Sequence, residues 1–174
     1  MTSTTQRIMP CLWFDKEAEE AANFYVGIFR NSRIIATSRY GEAGKEVTGG
    51  TPGSVMVVAF ELDGQSFTAL NGGPHFKFNE AVSLQVNCRT QEEIDYYWER
   101  LGAGGDPKAR QCGWLKDRYG LSWQVVPPME EFFGGDENSP GAARAMEAML
   151  KMKKIDIAEL RRAAAGTPEA AART

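Results

Sequence analysis

The chain has 174 residues, of which 43% are hydrophobic and 25% charged, with a formal net charge of −3. That length suits one domain or two small modules, and the acidic balance leaves no basic stripe to neutralise nucleic-acid phosphates. No apolar run is long enough to span a bilayer, "MTSTTQRIMP" does not read as a signal peptide, and the dispersed Cys11, Cys88 and Cys112 form no CxxC pair, which together predict free thiols in a reducing cytoplasm.

In chain order, "RIMPCLWF" (7–14) predicts a strand. Asp15 is an N-cap candidate, and Ala18, Ala21, Ala22, Tyr25 and Phe29 fall at helical spacing, predicting an amphipathic helix over 16–29. Asn31 suits the left-handed residue that ends it. "SRIIATSRY" predicts a strand and "GEAGKEVTGGTPGS" (41–54) a Gly-rich loop. "VMVVAFEL" and "QSFTALN" predict strands joined through Asp63-Gly64, a two-residue hairpin signal.

The order then repeats. "AVSLQVN" (81–87) predicts a strand, Thr90 and Glu93 a capping box, and Ile94, Tyr97, Trp98 and Leu101 the apolar face of a second helix ended by Gly102. A short strand near 109–112 and a hairpin over 113–127, turning at Lys116-Asp117-Arg118, complete the set. At pattern level the chain is strand–helix–strand–strand–strand, twice. Ser139-Pro140 then opens a helix to about Lys154, in which Met146, Met149, Met152 and Leu150 read as flexible core packing. The "KMKK" run (151–154) reads as a solvated face. Asp156 and Glu159 form a capping box, with Ile155 and Leu160 as a hydrophobic staple, for a last helix from 157 to about 165.

The fold class expected is α+β: two βαβββ modules forming a curved mixed sheet with a cleft, plus C-terminal helices. The boundaries are 7–127 for the paired modules (7–73 and 79–127), 128–165 for the helical extension, and 1–6 and 166–174 for flexible tails.

Four stretches, "PCLWFDKEAEEAANFY", "LNGGPHFKFNEAVSLQVN", "CGWLKDRYGLSWQVVPP" and "AMLKMKKIDIAELRRA", are specific as a set. With them the chain resembles the vicinal oxygen chelate superfamily of glyoxalase I, extradiol dioxygenases and bleomycin and fosfomycin resistance proteins. Within it the chain looks like the PhnB-like branch that carries the label 3-demethylubiquinone-9 3-methyltransferase. The resemblance implies homodimers, and in metal-using members a divalent ion held by two His and two Glu from four strands. Carried over, those ligand positions fall at Ile8, at Ala81, near Phe67 or Ala69, and at Gln124. None is a competent ligand, and the neutral carbonyl oxygen of Gln124 is weak for a transition metal. The single histidine, His75, sits in the Gly-rich turn "NGGPHFKFN" between the modules, so no His-rich site can form within one subunit.

Strand alternation puts Ser83, Gln85 and Asn87 on the face of Ala81, and Leu12 and Phe14 in the cleft with Trp13 under the helix. The ligand-binding candidates are therefore Phe14, Asn71, His75, Phe78, Ser83, Gln85, Trp114 and Gln124, with no metal ligand and no catalytic residue assigned. Neutral hydrogen-bonding groups among aromatics suit a small-molecule site. The leading expectation is a metal-independent small-molecule binder, without nucleic-acid or membrane partners. The alternative is a metal-dependent lyase, isomerase or dioxygenase using a shifted set such as His75 and Glu80. "LGAGGDP" (101–107) follows a helix instead of linking a strand to one, so no S-adenosylmethionine loop supports methyl transfer, and Cys112 has no neighbouring His–acid pair to activate it.

Overall fold

A computed structural model describes residues 6–42, 50–133 and 139–166. Most of the predicted tails, and residues 43–49 of the Gly-rich loop, lie outside these. The chain divides into two compact units, Met1–Phe78 and Asn79–Thr174.

In the first unit, strand β1 spans Cys11–Phe14 and is shorter than the predicted 7–14. Pro10 has no N–H to donate, and its carbonyl accepts from Thr68 N at 3.0 Å, so regular pairing with residues 68–71 starts after it. Helix α1 spans Ala18–Ile28, and its N-cap is Glu17, not Asp15. The cap interaction comes from a distance: Asn71 Oδ1 accepts from Ala18 N at 2.8 Å. Asn31 adopts φ 51° just past the helix, as expected. Strands β2 (Arg33–Arg39), β3 (Val55–Leu62) and β4 (Gln65–Asn71) follow, giving sheet order β1-β4-β3-β2. Asp63 (φ 47°) and Gly64 (φ 79°) are both left-handed, the backbone of the predicted two-residue turn. Tyr25 of α1 stacks on Phe60, and Phe60 on Phe67, within the buried face.

In the second unit, β5 is Ser83–Asn87 and α2 is Gln91–Gly102. Thr90 Oγ1 accepts from Glu93 N at 3.3 Å, whereas Glu93 Oε2 reaches back to Arg89 N at 2.6 Å, one residue earlier than the expected box. Gly102 is the last helical residue, and the left-handed reversal comes at Gly104 (φ 77°). The strand predicted near 109–112 does not form. Asp106 Oδ1 instead accepts from Lys108 N and starts a 3-10 turn, Pro107–Ala109, after which one isolated bridge joins Gln111 to Trp114. Pro107 cannot donate to a ladder, and Cys112 (φ 50°) and Gly113 (φ 82°) turn the chain out of extended geometry. Strands β6 (Trp114–Lys116) and β7 (Ser122–Val126) complete a three-stranded sheet, order β5-β7-β6, so this module is βαββ.

Three helices close this unit: α3 (Glu130–Phe133), α4 (Pro140–Lys151) and α5 (Ile157–Ala165). Ser139 Oγ caps α4 at Ala142 N, and Asp156 Oδ1 caps α5 at Glu159 N. Ile155 and Leu160 are fully buried, as a staple requires. The segment joining the two helices is pinned to the sheet, because Cys112 N and Gly113 N donate to the carbonyls of Met152 and Lys153. Gly113 is required there: beyond its positive φ, a Cβ would approach Val126 Cγ1 to 2.8 Å. The methionines are not core. Met146 and Leu150 are 39% and 57% exposed and Met149 and Met152 half-buried, because Ala142 and Ala145 fill the buried stripe. The fold is thus α+β, with sheets of four and three strands and five α-helices among the described residues.

Candidate functional site

The eight candidate residues divide between the units: Phe14, Asn71, His75 and Phe78 in the first, and Ser83, Gln85, Trp114 and Gln124 in the second.

In the first unit, register places Phe14 opposite Asn71, Leu12 opposite Ala69, and Phe60 opposite Phe67. These residues are buried on the side that packs against α1. The alternation expected for β1 is therefore reversed: Leu12 and Phe14 lie under the helix, and Trp13 takes the other face. The physical reason is the apolar cover that α1 offers through Ala18, Ala21, Ala22 and Tyr25. Phe14 meets Phe78 edge to face at 5.3 Å. Phe67 and Ala69 share the helix side, while Ser66, Thr68 and Leu70 face away with Trp13. Trp13 Nε1 donates to the Gly73 carbonyl at 2.8 Å, and its ring lies where a Cβ on Gly72 would sit, within 2.2 Å. The glycines before His75 thus admit an indole.

Asn71 is 9% exposed. Its Oδ1 receives Ala18 N, its Nδ2 donates to the Val55 carbonyl at 3.0 Å, and its own carbonyl accepts from the Tyr40 hydroxyl. It ties α1, β3 and β4 together. His75 is exposed on a turn and borders a cavity of about 410 Å³, together with Asp15, Lys16, Tyr40 and Gly73.

In the second unit, Ser83 pairs with Ser122, Gln85 with Gln124, and Trp114 with Gln124. Side chains at paired positions share a face, so Ser83, Gln85, Trp114, Lys116, Ser122 and Gln124 stand together. Leu115, Trp123 and Val125 occupy the opposite, buried face, where α2 packs on β6 and β7. Gln124 Nε2 donates to Ser83 Oγ at 2.8 Å, and Gln85 Nε2 donates to Asn87 Oδ1 at 2.6 Å. The amide in the middle of an apolar run thus belongs to a neutral polar face flanked by the Trp114 indole.

Two residues of this region escaped sequence reasoning. Asp117, read only as a turn residue, is 2% exposed. Its Oδ1 accepts from Tyr119 N and Leu121 N, at 2.9 and 3.1 Å, and its Oδ2 from Trp123 Nε1 at 2.8 Å. The signal was an acid opening a turn that ends in Gly120, since such side chains accept from backbone N–H groups just ahead. Ser122 is 1% exposed, and its hydroxyl has no hydrogen-bond partner among the described residues. The signal was its spacing of two from Gln124, which puts both side chains on one face of β7.

The charged groups nearby are balanced. Lys116 forms an ion pair with Glu80, whose carboxyl this hydrogen bond holds below its ordinary range. Burial, with the charge of Glu93, pushes the Cys88 thiol up to about 12, so it is no nucleophile near neutrality.

The four positions compared with metal ligands do not fit a metal. Ile8 is 87% exposed and precedes β1, Ala81 carries no donor, Phe67 and Ala69 are apolar and buried, and Gln124 is an amide engaged with Ser83. Among the described residues no three His, Cys, Asp or Glu side chains gather at one point.

The family model for 3-demethylubiquinone-9 3-methyltransferase matches residues 6–126. The chain belongs to this family, the PhnB-like branch of the vicinal oxygen chelate superfamily. A PhnB protein from Bacillus cereus with the same methyltransferase label is 39% identical over 70% of this chain and 99% of its own, with a TM-score of 0.60. Protein PA1353 from Pseudomonas aeruginosa is 19% identical over 71% of this chain and 98% of its own, with a TM-score of 0.56, a likeness of fold. The fosfomycin resistance protein FosX from Listeria monocytogenes, complexed with Mn(II) and sulfate, is 18% identical over 76% and 98%, with a TM-score of 0.49. No curated protein matches in sequence. No helix of this PhnB-like protein, among the described residues, is long and apolar enough to cross a membrane.

Proposed function

We propose that this PhnB-like protein binds a small organic molecule without a metal, on the neutral face formed by Ser83, Gln85, Trp114 and Gln124. The observation that carries the reading is the Gln124–Ser83 hydrogen bond at the position compared with a metal-binding carboxylate. An amide spends no charge there and offers both a donor and an acceptor. Its use as a donor to Ser83 leaves the serine hydroxyl proton to point onward. A flat ligand resting on the Trp114 ring would meet a carboxamide at one edge, which suits a carbonyl-bearing aromatic or similar apolar group. The shifted metal set is disfavoured, because Glu80 is already neutralised by Lys116. The methyltransferase label of the family lacks a cofactor loop to support it in "LGAGGDP". The reading includes a cytoplasmic homodimer, which light scattering at micromolar concentration tests by giving twice the monomer mass.

The decisive experiment is elemental analysis of the tag-free protein after incubation with Mn, Fe, Co, Ni and Zn and desalting. The expected result is far less than one metal per subunit. Stoichiometric metal would replace this proposal with the metal-dependent one. A small-molecule screen by thermal shift supplies the ligand, and Gln124→Ala should then weaken its binding by about tenfold, the loss of one hydrogen bond in a shielded site.

A further inference from the structure

At one end of the first sheet the last residues of β1, β4 and β2 meet the first of β3: Phe14 pairs with Asn71, and Arg39 with Val55. Just beyond these ends lies the cavity of about 410 Å³ that His75 borders, with Asp15, Lys16 and Tyr40 also on its wall. That volume lies within the range of small-molecule sites. The wall is held by its own hydrogen bonds. The Tyr40 hydroxyl donates to the Asn71 carbonyl, Trp13 Nε1 to the Gly73 carbonyl, and Ser54 Oγ to the Thr51 carbonyl at 2.6 Å. Gly50 admits the Tyr40 ring, since a Cβ there would come within 2.5 Å of it. A wall fixed in this way lowers the ordering cost of binding.

The charged groups on this wall do no structural work that the fold reveals. Asp15 stands where a cap for α1 is expected, but Asn71 Oδ1 accepts from Ala18 N instead. The Asp15 carboxylate is half-buried and the Lys16 ammonium exposed, and neither makes a hydrogen bond or ion pair with a described residue, including the other. A half-buried carboxylate without a donor is unfavourable. Consecutive residues have Cα atoms about 3.8 Å apart, so the two charges stand within reach of one small molecule. One acid and one base cancel, which favours neither simple anions nor simple cations and suits a molecule carrying both charges. The Tyr40 ring, Val55 and Pro74 supply an apolar side.

We infer that this cavity is a separate binding site for a small zwitterion of the α-amino-acid type, with its ammonium on Asp15, its carboxylate on Lys16 and its apolar side chain against Tyr40. The site lies wholly in the first unit and shares no residue with the face of Ser83, Gln85, Trp114 and Gln124.

The test uses the full chain. His75 is its single histidine, so one imidazole Cε1–H resonance in the NMR spectrum reports on this cavity. The probes are L-leucine, isocaproate, which is leucine without the ammonium, and isoamylamine, which is leucine without the carboxylate. The expected result is a saturable shift of the His75 resonance with leucine at constant pH. Affinity should be about tenfold lower for isocaproate and about fivefold lower for isoamylamine, Asp15 being the more buried partner. Asp15→Asn should weaken leucine about tenfold without weakening isocaproate, and Lys16→Met should weaken leucine about fivefold without weakening isoamylamine. Gln124→Ala should leave all three affinities unchanged. The absence of a saturable shift with millimolar leucine overturns the inference. So do equal affinities for the three probes, a leucine affinity that neither variant lowers, or variants that weaken all three probes alike. Metal content and ligand binding at Gln124 bear on the proposed function alone, so either reading can fail without the other.

Discussion

The two modules reach similar ends by different chemistry. The first secures its sheet to its helix with a neutral amide and closes its hairpin with backbone geometry: Asn71 caps α1 and holds β3, and Asp63-Gly64 turn through positive φ. The second closes its hairpin with a buried carboxylate, Asp117, which collects three N–H donors. The first has a full outer strand, whereas the second has a proline-started turn. The two modules therefore share a helix-facing core, where apolar spacing decides, and differ at their edges and turns. The divergent edge and the polar face both lie in the second module.

The sharpest way to break this comparison is Asp117→Ala. The change strands two backbone N–H groups and the Trp123 indole N–H in a buried turn, and charge-assisted bonds of this kind are among the strongest a fold contains. The expected loss is about 3–5 kcal/mol of unfolding free energy, read from urea denaturation. A loss below about 1 kcal/mol would mean that the hairpin is held by its strands, as in the first module.

Asn71→Ala probes the corresponding bracket in the first unit. It removes the cap at Ala18 N and the bond to the Val55 carbonyl, both of them bonds of a neutral amide and not of a carboxylate. The expected cost is smaller, about 1–2 kcal/mol. Equal losses for the two variants would remove the distinction between a neutral and a charged bracket.

The residues that sequence reasoning placed well are those whose periodicity or local chemistry is self-contained. Thr90, Ser139 and Asp156 cap helices whose starts were legible from one capping residue each. Asp63-Gly64 fixed a hairpin, and spacing by two grouped Ser83, Gln85 and Asn87 on one face of β5. What failed depended on partners distant in sequence. Nothing within "PCLWFD" says which side of β1 the helix will cover, and a reversal of faces moved Phe14 from the expected cleft to the core. Asn71 reads as a polar candidate until Ala18, 53 residues away, is seen to need its oxygen. The strand near 109–112 was read from the repeat and not from its own residues, and Asp106-Pro107 overrode the repeat locally. The methionines of α4 look like core in isolation, but Ala142 and Ala145, about one turn apart, take the buried stripe.

The mildest contrast at neutral pH lies just after the first strand of each module, where the first unit has Asp15 and the second the fully buried Cys88. Burial first, then the nearby Glu93 charge, raises the Cys88 thiol from 9.0 to about 12. Below pH 9 the thiol is protonated in both folded and unfolded chains, and it leaves stability independent of pH. Above that, the unfolded chain releases the proton while the folded one keeps it, so stability falls as pH rises through the window up to about 12. By pH 10 the wild type should have lost about 1.4 kcal/mol relative to pH 8 through this group alone. Cys88→Ala has no thiol to ionise, so its denaturation midpoint should fall less over the same interval, even if its starting stability is lower because of the space it leaves. The slope is the informative quantity, since lysines and tyrosines titrate alike in both proteins and cancel in the difference. Parallel slopes for the two proteins would show that the thiol reaches water in the folded state, and that the core behind β5 is looser than the cover α1 gives to β1.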